Sequence, residues 1–181
     1  MAFVGAWALA GASIDGYSAV DRAISDLAAV RAPTRVAMTV GFVVFGLGLI
    51  AFGLALRATL DGRAWTAAVA TGSCTIGVAA TPVGGWSGDT VHAIFAGLGY
   101  FTIVALPLLA STSFDHRGRL GWALASRLTA AATALCLVAS TLGPAHGLWQ
   151  RLGLTIGDTW IVVTAVALAA ALGPFRSEER A

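Results

Sequence analysis

Val36–Leu56 reads VAMTVGFVVFGLGLIAFGLAL, an unbroken apolar run without one ionisable side chain. A hydrocarbon core about 30 Å thick takes about 20 helical residues to cross, and this run supplies them. In lipid the backbone has to satisfy its own N–H and C=O groups, so the run reads as a transmembrane helix. Downstream, Trp65–Val83, Val91–Ala110, Leu120–Leu142 and Leu152–Leu172 repeat the pattern. Upstream, Ala2–Ile14 is apolar but short: either its helix begins late in the bilayer or the native start lies upstream. It opens without the basic region and cleavage site of a secretory signal, so it reads as a retained helix. The expected fold is all-α, one polytopic domain over residues 1–181. It would be a single bundle of six transmembrane helices with a polar connection at about residues 15–35.

Of the 181 residues, 57% are hydrophobic and 11% charged, and the mean hydropathy is +0.82. That lies outside the balance of a soluble domain. A net charge of +2 is too small to call for a nucleic-acid partner. All 11 basic residues are arginine, which points to a GC-rich genome more than to special chemistry. Cys74 and Cys136 fall mid-span on different helices and read as small apolar fillers. Three histidines dispersed over separate connections lack a metal-ligand spacing. No metal and no dissociable cofactor is expected, and no segment names a protein partner.

Arginine placement orients the spans. The connections after the second and fourth spans, with the tail, hold Arg57, Arg63, Arg117, Arg119, Arg176 and Arg180; the opposite side holds Arg22, Arg31, Arg35 and Arg151. The positive-inside rule then expects both termini in the cytoplasm, in the cell membrane of a bacterium. The first, third and fifth connections would face outward, and with the adjoining helix ends they carry about half of the ionisable residues. Pro107 falls inside the fourth span, where it removes a backbone donor and should kink the helix.

Asp158 lies about two turns, or roughly 10 Å, beyond Arg151 in the sixth span. An ionisable residue at that depth usually faces the bundle interior and marks function, the alternative being a structural hydrogen bond. Asp89 and His92 share the first turn of the fourth helix. Asp89 is placed to cap it and to orient the His92 imidazole, a pairing that serves a site or a simple helix cap equally. Asp21, Ser25 and Asp26 stand in the long first connection, where helical spacing would put Asp21 and Ser25 on one side; solvated charges are the alternative. A Ser25–His92–Asp158 hydrolase lacks any nucleophile-elbow pattern. Trp86, Phe95, Tyr100, Trp149 and Trp160 fall in the outer halves of their spans. They read as an interfacial belt or, facing inward with Ser25 and Arg151, as the walls of a substrate site. Arg127 reads as a snorkelling side chain near the inner surface.

Three segments carry a resemblance. Ala23-Ile24-Ser25-Asp26-Leu27 with Ala32-Pro33-Thr34-Arg35, Thr81-Pro82 through Asp89 to His92, and Leu148-Trp149-Gln150-Arg151-Leu152 leading to Trp160 resemble a family of six-span bacterial and archaeal membrane proteins. That family is catalogued as a domain of unknown function; the resemblance implies the architecture and brings no activity. In size and layout the chain is also similar to small membrane-bound terpene cyclases, which implies embedded carboxylic acids as proton donors. The functional expectation is a membrane-embedded enzyme that cyclises or rearranges a lipophilic, isoprenoid-like substrate. Asp158 or Asp26 would donate the proton, His92 and Asp89 would tune it, and aromatics would shelter positive charge. The alternative is a non-catalytic lipid-binding or accessory membrane protein, whose partner is a lipid or another lipophilic small molecule.

Overall fold

The computed structural model describes residues 2–172. Arg176 and Arg180 of the charge count lie outside the described residues. Regular structure within them is helical: α1 (Ala2–Ala12), α2 (Arg35–Thr59), α3 (Ala64–Ala80), α4 (Gly88–His116), α5 (Leu120–Leu142) and α6 (His146–Leu172). A 3-10 turn, Ile24–Ala28, interrupts the first connection. Four of these helices, α2, α4, α5 and α6, are long and apolar enough to cross a membrane. The 17 residues of α3 rise about 25 Å and the 11 of α1 about 16 Å, so length alone does not carry either across. α3 stops short of the expected Val83 because Pro82 has no N–H and drives Thr81 out of the helical region, to φ −120° and ψ 65°.

The distribution of side chains is that of a membrane protein. Val40, Val44, Leu47 and Leu54 of α2, Phe101 of α4, and Leu124, Leu128 and Leu135 of α5 all point outward. Thr71, Ser126 and Thr133 are buried among the helices. A bundle in water would reverse that preference.

Each helix packs chiefly on its chain neighbour, and α6 reaches across to α4 and to the 3-10 turn. Small residues set the closest approach. A Cβ at Gly46 of α2 would lie 2.7 Å from the Gly72 carbonyl of α3, and one at Gly53 would lie 3.0 Å from the Trp65 carbonyl. In lipid, where apolar surface gives no net drive to associate, such backbone proximity supplies the packing energy.

The connections gather at two ends. At the cap end, Val30 N–H donates to Val83 O (3.1 Å) and Leu148 N–H to Val20 O (2.9 Å), joining the first connection to the third and to the first turn of α6. At the far end, Ser113 Oγ donates to the Asp61 carbonyl, and Arg117 pairs with the Asp61 carboxylate at 2.9 Å.

Candidate functional site

Beneath the cap, a cavity of about 70 Å³ lies between α1, α2, α3, α4 and α6. Its walls are apolar: Phe3, Phe42, Phe45, Phe95, Ile103 and Leu154. Phe3 stacks on Phe45 at 4.8 Å and tilts against Phe42 at 5.3 Å between ring centroids. Gly77 of α3 lets the Phe95 ring lie directly against the helix backbone, where a Cβ would collide with it.

Polar groups line the same space in small number: Ser25, Thr71, Thr75, His92, Tyr100 and Gln150. Thr81, the C-cap of α3, offers its carbonyl to His92 Nδ1 at 2.7 Å. A carbonyl only accepts, so Nδ1 carries a proton, and in the corresponding neutral tautomer Nε2 is the acceptor. Gln150, 9% exposed on the first turns of α6, bridges two elements. Its Oε1 accepts the Ile24 N–H at 2.8 Å and its Nε2 donates to the Tyr100 phenol oxygen. That oxygen receives a hydrogen bond and keeps its own proton for donation. In that tautomer the cavity presents an imidazole acceptor and a phenol donor among its lining groups.

Of the residues singled out from the sequence, Ser25, His92, Phe95 and Tyr100 come together here. Asp158 does not line the cavity. It is 3% exposed, about one turn deeper on α6 than Leu154, and its Oδ1 has no hydrogen-bond partner among the described residues. The surface acids are occupied elsewhere. Asp21 accepts from Ser18 Oγ at 2.6 Å, and Asp26 pairs with Arg22 at 3.3 Å. The 3-10 turn begins at Ile24, so Asp21 does not share a helical side with Ser25. Asp89 is not the cap of α4, a place held by Ser87. Its Oδ1 accepts the Gly84 N–H at 2.8 Å, closing the 81–87 connection, and Thr81 rather than Asp89 orients His92. Arg127 pairs with Asp115 across the far-end connection.

Arg151 holds the first connection rather than lining the cavity. Only 5% exposed, it donates through Nη1 to the carbonyls of Ala19 (2.8 Å), Arg22 (2.7 Å) and Gly147 (3.0 Å), and through Nη2 to Tyr17 OH (2.6 Å). Its guanidinium lies 5.2 Å from the Trp7 ring centroid and 5.7 Å from that of Tyr17. Tyr17 in turn donates its own O–H to Ala23 O at 3.0 Å. Burial pushes the Tyr17 phenol above its usual range, against the opposing pull of Arg151. The aromatics also divide. Trp86 is 87% exposed and Trp149 lies at the surface. Trp160 is buried, with Nε1 donating to Ser126 Oγ (3.0 Å) in the first half of α5, towards the far end.

Sequence reading did not select Phe3, Phe42, Phe45, Thr71, Thr75 or Gln150 for the site. Apolar and hydroxyl residues inside spans are too common to stand out. A carboxamide this close to the start of a span is less so, and its desolvation cost is the signal that would have marked Gln150.

A family model described as "Protein of unknown function (DUF998)" matches residues 1–167. The chain belongs to that family. The match bears out the resemblance carried by the three segments, all of which fall inside it. No curated protein and no solved structure matches this DUF998 member, so nothing in these comparisons supports the likeness to terpene cyclases.

Proposed function

We propose that this DUF998 member binds a lipophilic molecule with one polar end in the cavity beneath its cap. The observation that carries the reading is that His92 and Tyr100 of α4 both line a cavity whose walls are largely apolar. Thr81 fixes one tautomer of His92 and Gln150 fixes the phenol as donor, which together suit a hydroxyl or carbonyl. Phe3, Phe42, Phe45 and Leu154 would flank its apolar chain. The volume of about 70 Å³ takes a few waters or the slender end of one chain. A folded isoprenoid would need the cap to move, and this favours binding over cyclisation.

The test is lipid mass spectrometry of molecules co-purifying with the wild type and with a His92→Leu/Tyr100→Phe double variant of unchanged helicity. A lipophilic hydroxyl or carbonyl compound retained by the wild type and lost by the variant is the expected result. The same species in equal amount on both removes the assignment.

Acid-initiated cyclisation or rearrangement is the second reading, and Asp158 favours it, as a buried carboxyl one turn beyond the cavity floor. Asp26, Asp89 and Asp21 are engaged at the surface, so Asp158 is the acid left for proton donation. Under this reading Asp158→Asn accumulates unconverted ligand. Turnover unchanged in that variant and in Asp26→Asn dismisses it.

The setting proposed for the site is a six-span unit in the cell membrane of a bacterium, with the cap outside and both termini in the cytoplasm. α3 would cross with little to spare, and α1 would enter from the cap end. The small imbalance in arginines supports that orientation.

A further inference from the structure

The Gln150 carboxamide touches a segment of the cap and a group facing the cavity, and its two ends cannot be exchanged. A backbone N–H only donates, so the atom 2.8 Å from the Ile24 nitrogen is Oε1. The other end of the amide is then Nε2, which only donates, and the Tyr100 oxygen accepts from it. Tyr100 keeps its own O–H, for which the described residues provide no acceptor. The hydrogen bonds therefore run one way: from Ile24 N–H to Gln150, from Gln150 to the Tyr100 oxygen, and from the Tyr100 O–H into the cavity.

The cap is tied to α6 in two separate places. Arg151 and the Leu148 N–H hold residues 19–22, and neither residue lines the cavity. The turn Ile24–Ala28 bonds otherwise to Arg22, Ala23, Ala29 and Thr34, all within the first connection. Among the described residues, only Gln150 ties that turn to a helix by a hydrogen bond. Ile24, Leu27 and Ala28 are buried beside Phe3 and Phe42, and Ile24 and Ser25 line the cavity together with Gln150 and Tyr100.

Resting on the binding reading above, we propose that Gln150 couples occupancy of the cavity to closure of the cap: a ligand oxygen that accepts the Tyr100 O–H tightens the turn Ile24–Ala28. Hydrogen bonds aligned head to tail polarise one another. An acceptor on the Tyr100 O–H makes the phenol oxygen a better acceptor for Nε2. The amide, drawn on at Nε2, then offers more negative charge at Oε1 to the Ile24 N–H. Opening of the turn breaks this relay, so a ligand read by Tyr100 binds the closed cap better and adds its binding free energy to closure. A hydrocarbon of the same length fills space and leaves the relay as it was.

The experiment follows hydrogen exchange in the full-length protein in lipid nanodiscs, with 2-decanone as the acceptor probe and decane at the same concentration as the apolar one. At ten times its Kd, 2-decanone should slow exchange in residues 24–28 about tenfold, as for a ligand confined to the closed state. Residues 19–22 should exchange as before, and decane should change neither segment. Gln150→Met and Tyr100→Phe, each held at ten times its own Kd for the ketone, should abolish the slowing. Tyr100→Phe leaves the Ile24 hydrogen bond in place, so its result separates the relay from damage to the cap. Equal slowing by decane, slowing that persists in Tyr100→Phe, or bound ketone with unchanged exchange would overturn the coupling and leave the binding reading standing. Absence of saturable 2-decanone binding to the wild type would overturn both.

Discussion

Arg151 is a buried cation without a carboxylate partner among the described residues; three carbonyls, a phenol and two aromatic faces hold it. Replacing it removes the donors that pin Ala19 and Arg22 and leaves their carbonyls with less than they need. Arg151→Gln should therefore destabilise the protein by about 3 kcal/mol. Thermal unfolding in detergent measures the loss, and hydrogen exchange should place it in residues 13–34. Arg151→Lys should recover little, because an ammonium cannot reach several fixed acceptors as a planar fork does. Tyr17 adds a pH dependence. Its phenol titrates higher in the folded chain than in the unfolded one, so the native state holds the proton longer. Its contribution is complete below the unfolded value of about 10 and declines as pH rises through the folded value. Exchange in residues 13–34 should accelerate above that pH in the wild type, and Tyr17→Phe should abolish the added alkaline sensitivity. From the sequence, Arg151 looked like a site residue, since a polar cluster announces nearby charges and does not say which carbonyls will surround them.

The contact of α2 with α3 shows what an element owes to single glycines. Gly72 sits where a Cβ would collide with the Gly46 carbonyl and approach Ile50 Cγ1 to 2.9 Å. The obstacle is backbone, which yields less than a side chain does. Gly72→Ala should cost about 2 kcal/mol, visible as a lower melting temperature with helicity retained. Gly48, with nothing within 4 Å of its added Cβ, should accept alanine without loss. Gly147 makes a similar close approach at the start of α6, where a Cβ would stand 2.8 Å from the Ala19 carbonyl. Gly147→Ala should lift the first connection and raise its proteolysis. The four long spans were legible because an apolar run of that length has no other stable state in lipid. The 3-10 turn was not, because its Ile24 N–H is satisfied by Gln150, 126 residues away in sequence. Phe3 and Phe42 likewise became cavity walls through helix pairing, which a span's composition does not record.

At the scale of the molecule, His92 at the cap end and Ser113 at the far end share no hydrogen-bond partner. Stability losses from His92→Leu and Ser113→Ala should accordingly add, with coupling below about 0.5 kcal/mol in a double-variant cycle. A larger coupling, read by thermal unfolding in detergent, would mean that the two ends move together. Orientation is checked the same way in intact cells: Ser18→Cys should react with a membrane-impermeant maleimide, and Arg63→Cys only after permeabilisation. The reverse pattern would turn the cap inward. By itself the sequence determined the membrane setting, the helical class, the number of apolar segments and the family, because these follow from local composition and from motifs along the chain. Only the tertiary structure decided which polar residues meet. It sent Asp21, Asp26 and Asp89 to surface hydrogen bonds and Arg151 to the first connection, and it brought His92, Tyr100 and Gln150 to one cavity. Those outcomes depend on how α4 and α6 face each other across the bundle, a distance in space that spacing along the chain does not encode.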